Sequence, residues 1–150
     1  MNNYKVVIID TGMGNILSVC RALEYLGHSV EVVTKWDNIQ ADIMILPGVG
    51  SFKEAMASLK TNGLAEMVNH FASTGKGLLG ICLGMQLLLD TGAEGGESKG
   101  LGLIPGNVKV IPKHELEPTN RLPNIGWRSV QNVENIQGRL DVAFVEDFDH

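Results

Sequence analysis

Cysteine is scarce in this chain, with two residues, at positions 20 and 82, among 150. So few thiols so far apart exclude a disulfide framework and a thiolate cage for a metal, and they fit a reducing compartment such as the cytoplasm. Aromatic residues are also few, 5% of the chain, and no basic block accompanies them. With a formal net charge of −5, this speaks against nucleic acid or anionic membrane as the main partner. No apolar run approaches the roughly 18 residues of a membrane-spanning helix, and the first residues show no basic region, hydrophobic stretch or cleavage site. The chain is therefore expected to be neither secreted nor membrane-spanning. No repeat, low-complexity tract or second domain is visible. Residues 1–150 read as one domain, and 44% hydrophobic content can fill one sizeable core.

What is present is a regular alternation of elements. Lys5 to Ile9 is a short apolar run rich in β-branched residues, as for a strand buried on both faces. Asn15 can cap a helix whose Ile16, Val19, Cys20, Leu23 and Leu26 recur at helical spacing until Gly27 stops it. Cys20 lies on that stripe and reads as packing. Val30 to Val33 and Ile43 to Leu46 are further strands. Ser51 and Glu54 form a capping box for a helix carrying Ala55, Met56 and Leu59, Leu64 to Phe71 is another helix, and Gly77 to Ile81 another strand. Strands and helices in alternation imply parallel pairing with right-handed crossovers, hence a doubly wound, mostly parallel open α/β sheet. Ligands of such sheets bind beyond the carboxyl ends of the strands.

Beyond Gly92 the pattern is less regular. Gly92 to Gly102 reads as an exposed Gly- and Glu-rich loop, and Leu101 to Ile104 and Val108 to Ile111 as short strands around a Pro105-Gly106 turn. Pro112 to Pro123 reads as polar connection and Trp127 to Val133 as another strand, while Leu140 to Phe148 has no clean period.

The most specific feature is Gly80-Ile81-Cys82-Leu83-Gly84-Met85-Gln86, which sets one cysteine between two glycines, after an apolar run and before a helical pattern. A side chain pushed out at the tip of a sharp strand-to-helix turn needs neighbours without bulk, which Gly80 and Gly84 supply. The turn also aims the free N–H groups of the new helix at the sulfur, surroundings suited to a nucleophile. The alternative, a buried structural cysteine, leaves the rest of the string without a reason.

Gly80 to Gln86 resembles the nucleophile motif of the class I, or triad, glutamine amidotransferases. Leu46-Pro47-Gly48-Val49-Gly50-Ser51-Phe52, Asp10-Thr11-Gly12-Met13-Gly14-Asn15 and Asn124-Ile125-Gly126-Trp127 are similar to segments of the branch serving imidazole glycerol phosphate synthesis in histidine biosynthesis. The resemblance spans about residues 4 to 130. It implies a flavodoxin-like domain that attacks glutamine with Cys82 through a thioester. The oxyanion would be held by backbone N–H groups of Val49 and Leu83, with Gly48 and Gly50 permitting close approach, and Gln86 would bind substrate. From the residues alone, Gly48-Val49-Gly50 could also be only a tight turn. The resemblance further implies no cofactor and no metal, ammonia passed to a (βα)8-barrel cyclase in a heterodimer, and Asn15 near that interface.

The family's base and orienter form a His-x-Glu pair beyond the nucleophile, and this sequence contains no His-x-Glu. The resemblance therefore implies a chain lacking roughly the last quarter of a full-length subunit, with activity impaired or lost. Two rival readings follow. Arg128 stands where the histidine branch usually has Asn, which suits a paralogue supplying ammonia to surface sugars; the absent pair suits a non-catalytic regulatory or scaffolding subunit. Other features are expected to be inert. A third glycine of a dinucleotide fingerprint would fall at Leu17. Gly95-Gly96-Glu97-Ser98 reads as loop composition, His114-Glu115-Leu116-Glu117 as a solvated loop, His28 as a cap for helix carbonyls, and His70 as surface or boundary.

Overall fold

Burial on both faces defines the first strand. In the computed structural model, which describes residues 3–37 and 39–111, β1 (Lys5–Ile9) is buried from Val6 onward. Its side chains alternate between two cores, Val6 and Ile8 joining Ile45 on one face, Val7 and Ile9 joining Met44 and Leu46 on the other. Short β-branched runs of this kind suit a sheet covered twice.

β1 pairs in parallel with β2 (Ser29–Val33) and β3 (Ile43–Gly48), and β3 pairs in parallel with β4 (Gly77–Cys82), giving the order β2-β1-β3-β4. Helix α1 (Ile16–Tyr25) lays Ile16, Val19, Cys20 and Leu23 against the first core. Helices α2 (Phe52–Thr61) and α3 (Leu64–Ser73) cover the other, burying Phe52, Met56, Leu59, Leu64 and Val68. This is the doubly wound α/β sheet expected from the alternation of elements, and Met1–Val110 forms one compact unit. No helix among the described residues is long and apolar enough to cross a membrane.

Three local expectations need correction. Leu26 does not join the α1 stripe. It is the C-cap, 49% exposed, and the chain turns away at Gly27 with φ +83°. The region after α4 (Leu83–Leu87) is also more ordered than a loop. β5 (Leu89–Gly92) pairs antiparallel with β6 (Ser98–Lys99) and parallel with β7 (Ile104–Val108), so that only residues 93–97 form the exposed tip. Finally, Pro105-Gly106 does not separate two strands but lies inside β7. The register passes from Leu89↔Ile104 to Thr91↔Asn107, so both residues oppose Asp90 in a bulge, and the Asp90 carboxylate accepts the Gly106 N–H at 2.9 Å. A bulge tolerates proline because its missing N–H interrupts no ladder bond. Leu101 to Leu103 instead close the end of α4, the Leu101 and Leu103 N–H groups donating to the Leu87 and Leu88 carbonyls. The expected connection 112–123 and strand 127–133 lie outside the described residues.

Candidate active site

The carboxyl ends of three parallel strands carry the motifs singled out above. β1 leads into the loop Asp10 to Asn15, β3 ends at Gly48, and β4 ends at Cys82, with Gly48 and Cys82 as register partners. That pairing follows from the hydrophobic register of β3 and β4, and it sets the Gly48-Val49-Gly50 turn beside the cysteine.

Cys82 is exposed and adopts φ 56° and ψ −119°, the one non-glycine residue with positive φ among those described. Such a conformation costs an L-residue about 1–3 kcal/mol and persists only where the surroundings enforce it. Here the enforcement comes from backbone packing. A Cβ on Gly80 would lie 2.5 Å from the Met85 Cα and 2.6 Å from its nitrogen. A Cβ on Gly84 would overlap the Leu46 carbonyl oxygen and sit 2.7 Å from the Leu46 carbonyl carbon. The two glycines therefore let α4 fold back onto β4 and lie directly on β3, and the sharp turn between them pushes Cys82 outward. This is a nucleophile elbow in geometry, and it explains the spacing more specifically than a general need for small neighbours.

The other predicted residues fall around it. Gly48 is buried, and a Cβ there would be 3.1 Å from the Gly84 nitrogen and 3.2 Å from the Leu83 Cβ. Val49 is 52% exposed, and Gly50 is exposed. Leu83 opens α4 with its side chain buried, and Gln86 on the same helix is half-buried. Asn15 is the expected N-cap, its Oδ1 accepting the Ser18 N–H at 3.3 Å, and it is exposed. The loop before it is shaped by the Asp10 carboxylate accepting the Gly12 N–H at 2.8 Å.

Several participants were not anticipated. Ser58 on α2 donates its hydroxyl to the Thr11 carbonyl at 2.9 Å, and Met13 reaches the neighbourhood of Gly50, its sulfur 3.5 Å from where a Cβ would stand. Glu94, in the β5–β6 tip, accepts the Phe52 N–H at 3.2 Å, at the start of the helix that follows the Val49 turn. Gly95 and Gly96 occupy that same exposed tip, as their loop composition suggests.

The described histidines lie elsewhere. His28 does not cap helix carbonyls with its ring: its Nδ1 accepts the Tyr4 N–H at 3.4 Å, beside the amino end of β1, at the opposite edge of the sheet from Cys82. Its backbone N–H takes the capping role, donating to the Leu23 carbonyl. His70 is exposed on α3, near the Trp36 ring. His114 and His150 lie outside the described residues. Among the described residues, no three His, Cys, Asp or Glu side chains gather to hold a metal ion.

Comparison with known proteins identifies the family. The sequence model of one family, glutamine amidotransferase class-I, matches residues 7–145, and the chain belongs to that family of glutamine amidotransferases. More particularly, it is similar to imidazole glycerol phosphate synthase subunits. Subunit HisH 1 of Legionella pneumophila (strain Lens) is 44% identical over 157 residues, a match covering 96% of this chain and 74% of the relative. Subunit HisH of Moorella thermoacetica is 43% identical over 150 residues, covering 95% and 69% respectively. Subunit HisH of Listeria monocytogenes serotype 4a is 44% identical over 127 residues, covering 84% and 60%.

Proposed function

We propose that this chain is the glutaminase subunit of an imidazole glycerol phosphate synthase in histidine biosynthesis. The observation that carries the reading is the exposed, strained Cys82 at a strand end, with the Gly48-Val49-Gly50 turn held beside it. In this reading the Cys82 sulfur adds to the γ-carboxamide carbon of glutamine, and the oxyanion accepts hydrogen bonds from the Val49 and Leu83 N–H groups. The C–N bond breaks once the nitrogen has taken a proton, ammonia leaves, and a thioester remains. Water then hydrolyses the thioester to glutamate and frees the thiol. Gln86, half-buried one helical turn on, orients the amino-acid end of the substrate.

The relatives named above are subunits of a synthase, which supports a partner for this chain, and we assign that role to a (βα)8-barrel cyclase that receives the ammonia. Asn15 lies exposed at the same sheet edge as Cys82, which suits it to report the partner's state, in addition to capping α1. A cytoplasmic location accords with two unpaired thiols.

Alkylation by a chloroketone analogue of glutamine tests the site. Cys82 should be labelled in preference to Cys20, which is half-buried against β1. Equal labelling of the folded protein, or labelling of Cys20 alone, rejects Cys82 as the nucleophile.

A further inference from the structure

The turn between α2 and α3, at the end of α2 opposite Ser51, carries the one Asn-Gly step of the sequence, Asn62-Gly63. Asparagine is thermolabile, and most so before glycine, which has no Cβ to shield its nitrogen from the neighbouring carboxamide. Asn62 is exposed, so water reaches it. The folded turn nevertheless holds the reacting atoms apart. The Asn62 Nδ2 donates to the Ser58 carbonyl at 3.1 Å, and the Asn62 N–H donates to the same oxygen at 3.2 Å. The Gly63 N–H donates to the Lys60 carbonyl at 3.2 Å, which keeps the proton on the nitrogen that would attack. Ring closure needs that nitrogen nearly eclipsed with the Asn62 Cβ about the Cα–C bond, and the Asn62 ψ of 4° keeps them well separated. A strap from the end of β2 completes the hold: the Trp36 N–H donates to the Asn62 carbonyl at 3.0 Å, and the Trp36 ring lies 6.3 Å from that of His70 on α3.

We propose that Asn62-Gly63 is a self-modification site, with its own carboxamide and water as reactants, and that the folded α2–α3 turn gates it. When the turn opens, the Gly63 nitrogen gives its proton to hydroxide and adds to the Asn62 Cγ. The Cγ–Nδ2 bond breaks, and ammonia leaves with a proton from water. The succinimide that remains takes up one water. Cleavage between Cγ and the Gly63 nitrogen gives aspartate; cleavage between the α-carbonyl carbon and that nitrogen gives isoaspartate, whose main chain runs through Cβ and Cγ. In isoaspartate the former Asn62 carbonyl becomes a pendant carboxylate. The acceptor of the Trp36 N–H thereby leaves the main chain, and residues 34–37 lose that tie to α2. Either product sets a new negative charge at the C-terminal end of α2, where the helix dipole disfavours it.

The full chain, incubated folded and in guanidinium chloride in the same mildly alkaline buffer, tests this. Peptide mapping reads the gain of about 1 Da as amide becomes acid, and fragmentation tells isoaspartate from aspartate. In denaturant Asn62 should convert before any other asparagine. In the folded chain it should convert slower by roughly tenfold or more, since opening breaks several hydrogen bonds together. Trp36→Ala removes the ring that ties the strap to α3, and should raise the folded rate by roughly threefold while leaving the denatured rate level. Where Trp36→Ala does not fold, His70→Ala, at an exposed position, removes the ring's partner and should act in the same direction. In isoaspartate protein separated by charge, amide exchange at Trp36 should quicken roughly tenfold.

Another asparagine converting first in denaturant overturns the assignment of the site. Equal folded and denatured rates overturn the gate, and a folded rate indifferent to loss of either ring removes the strap from it. Unchanged Trp36 exchange in the isoaspartate form overturns the release of residues 34–37.

Discussion

Adding one methyl group at Gly84 should separate the fold's backbone logic from any side-chain account of the site. In Gly84→Ala the new Cβ overlaps the Leu46 carbonyl oxygen and stands 2.7 Å from the Leu46 carbonyl carbon and 3.2 Å from that of Pro47. These are backbone atoms of β3, which is held between β1 and β4, so relief has to come from α4 lifting away. Overpacking of this kind costs about 1–3 kcal/mol, and rigid obstacles put it at the upper end. Alanine returns up to about 1 kcal/mol of helix propensity. A net loss of about 2 kcal/mol is expected, a sizeable share of the roughly 5–15 kcal/mol that holds a domain folded. With a urea slope of about 2 kcal/mol/M, the midpoint falls by about 1 M at unchanged slope. Gly77→Ala in β4 is the control, because its Cβ meets only the Ile43 Cγ1 at an ordinary 3.8 Å, and it should leave the midpoint level or raise it by up to about 0.5 M. Urea unfolding followed by circular dichroism decides the matter. A Gly84→Ala midpoint at or above the parent, or level with Gly77→Ala, refutes the claim that α4 rests on the β3 backbone at this glycine.

Strain at the elbow predicts that Cys82→Gly melts above Cys82→Ala, by about 1 kcal/mol in stability, because only glycine occupies φ 56° and ψ −119° freely; equal melting would mean that the turn stores none. Val49→Pro removes one candidate oxyanion donor and should lower the saturating rate of chloroketone labelling at Cys82 by roughly 10²-fold while sparing the rate with iodoacetamide, which needs no oxyanion, whereas an unchanged rate takes Val49 out of that role.

Most of the fold was legible because its determinants are local. The β-branched run Lys5 to Ile9, the Asn15 and Ser51 caps and the stripe on α1 each specify an element within a few residues. The elbow was legible for a different reason: glycines at Cys82 minus two and plus two are demanded by close approach, which no other residue type satisfies. The small second sheet was not legible. Its strands are short, β6 has two residues, and β7 contains a Pro-Gly pair that in isolation signals a turn. The bond that keeps Gly106 in the strand comes from Asp90, far back in the sequence.

Glu94 marks the same boundary inside the site. It is an acid in a Gly- and Glu-rich tip, with nothing in its neighbours to distinguish it from Glu97, and its partner is Phe52, 42 residues away. The chemically suggestive residues were thus found by pattern, while the contacts around them were not. The candidate oxyanion donors are backbone groups, so their placement depends on how β3, α2 and α4 are pressed together, and on which positions carry no Cβ at all. Substitutions that change only the size of an exposed side chain such as Val49 should consequently be mild, and those that add atoms at Gly80 or Gly84 should be severe. A site of this construction is defined more by the backbone's closeness at a few glycines than by the side chains on view.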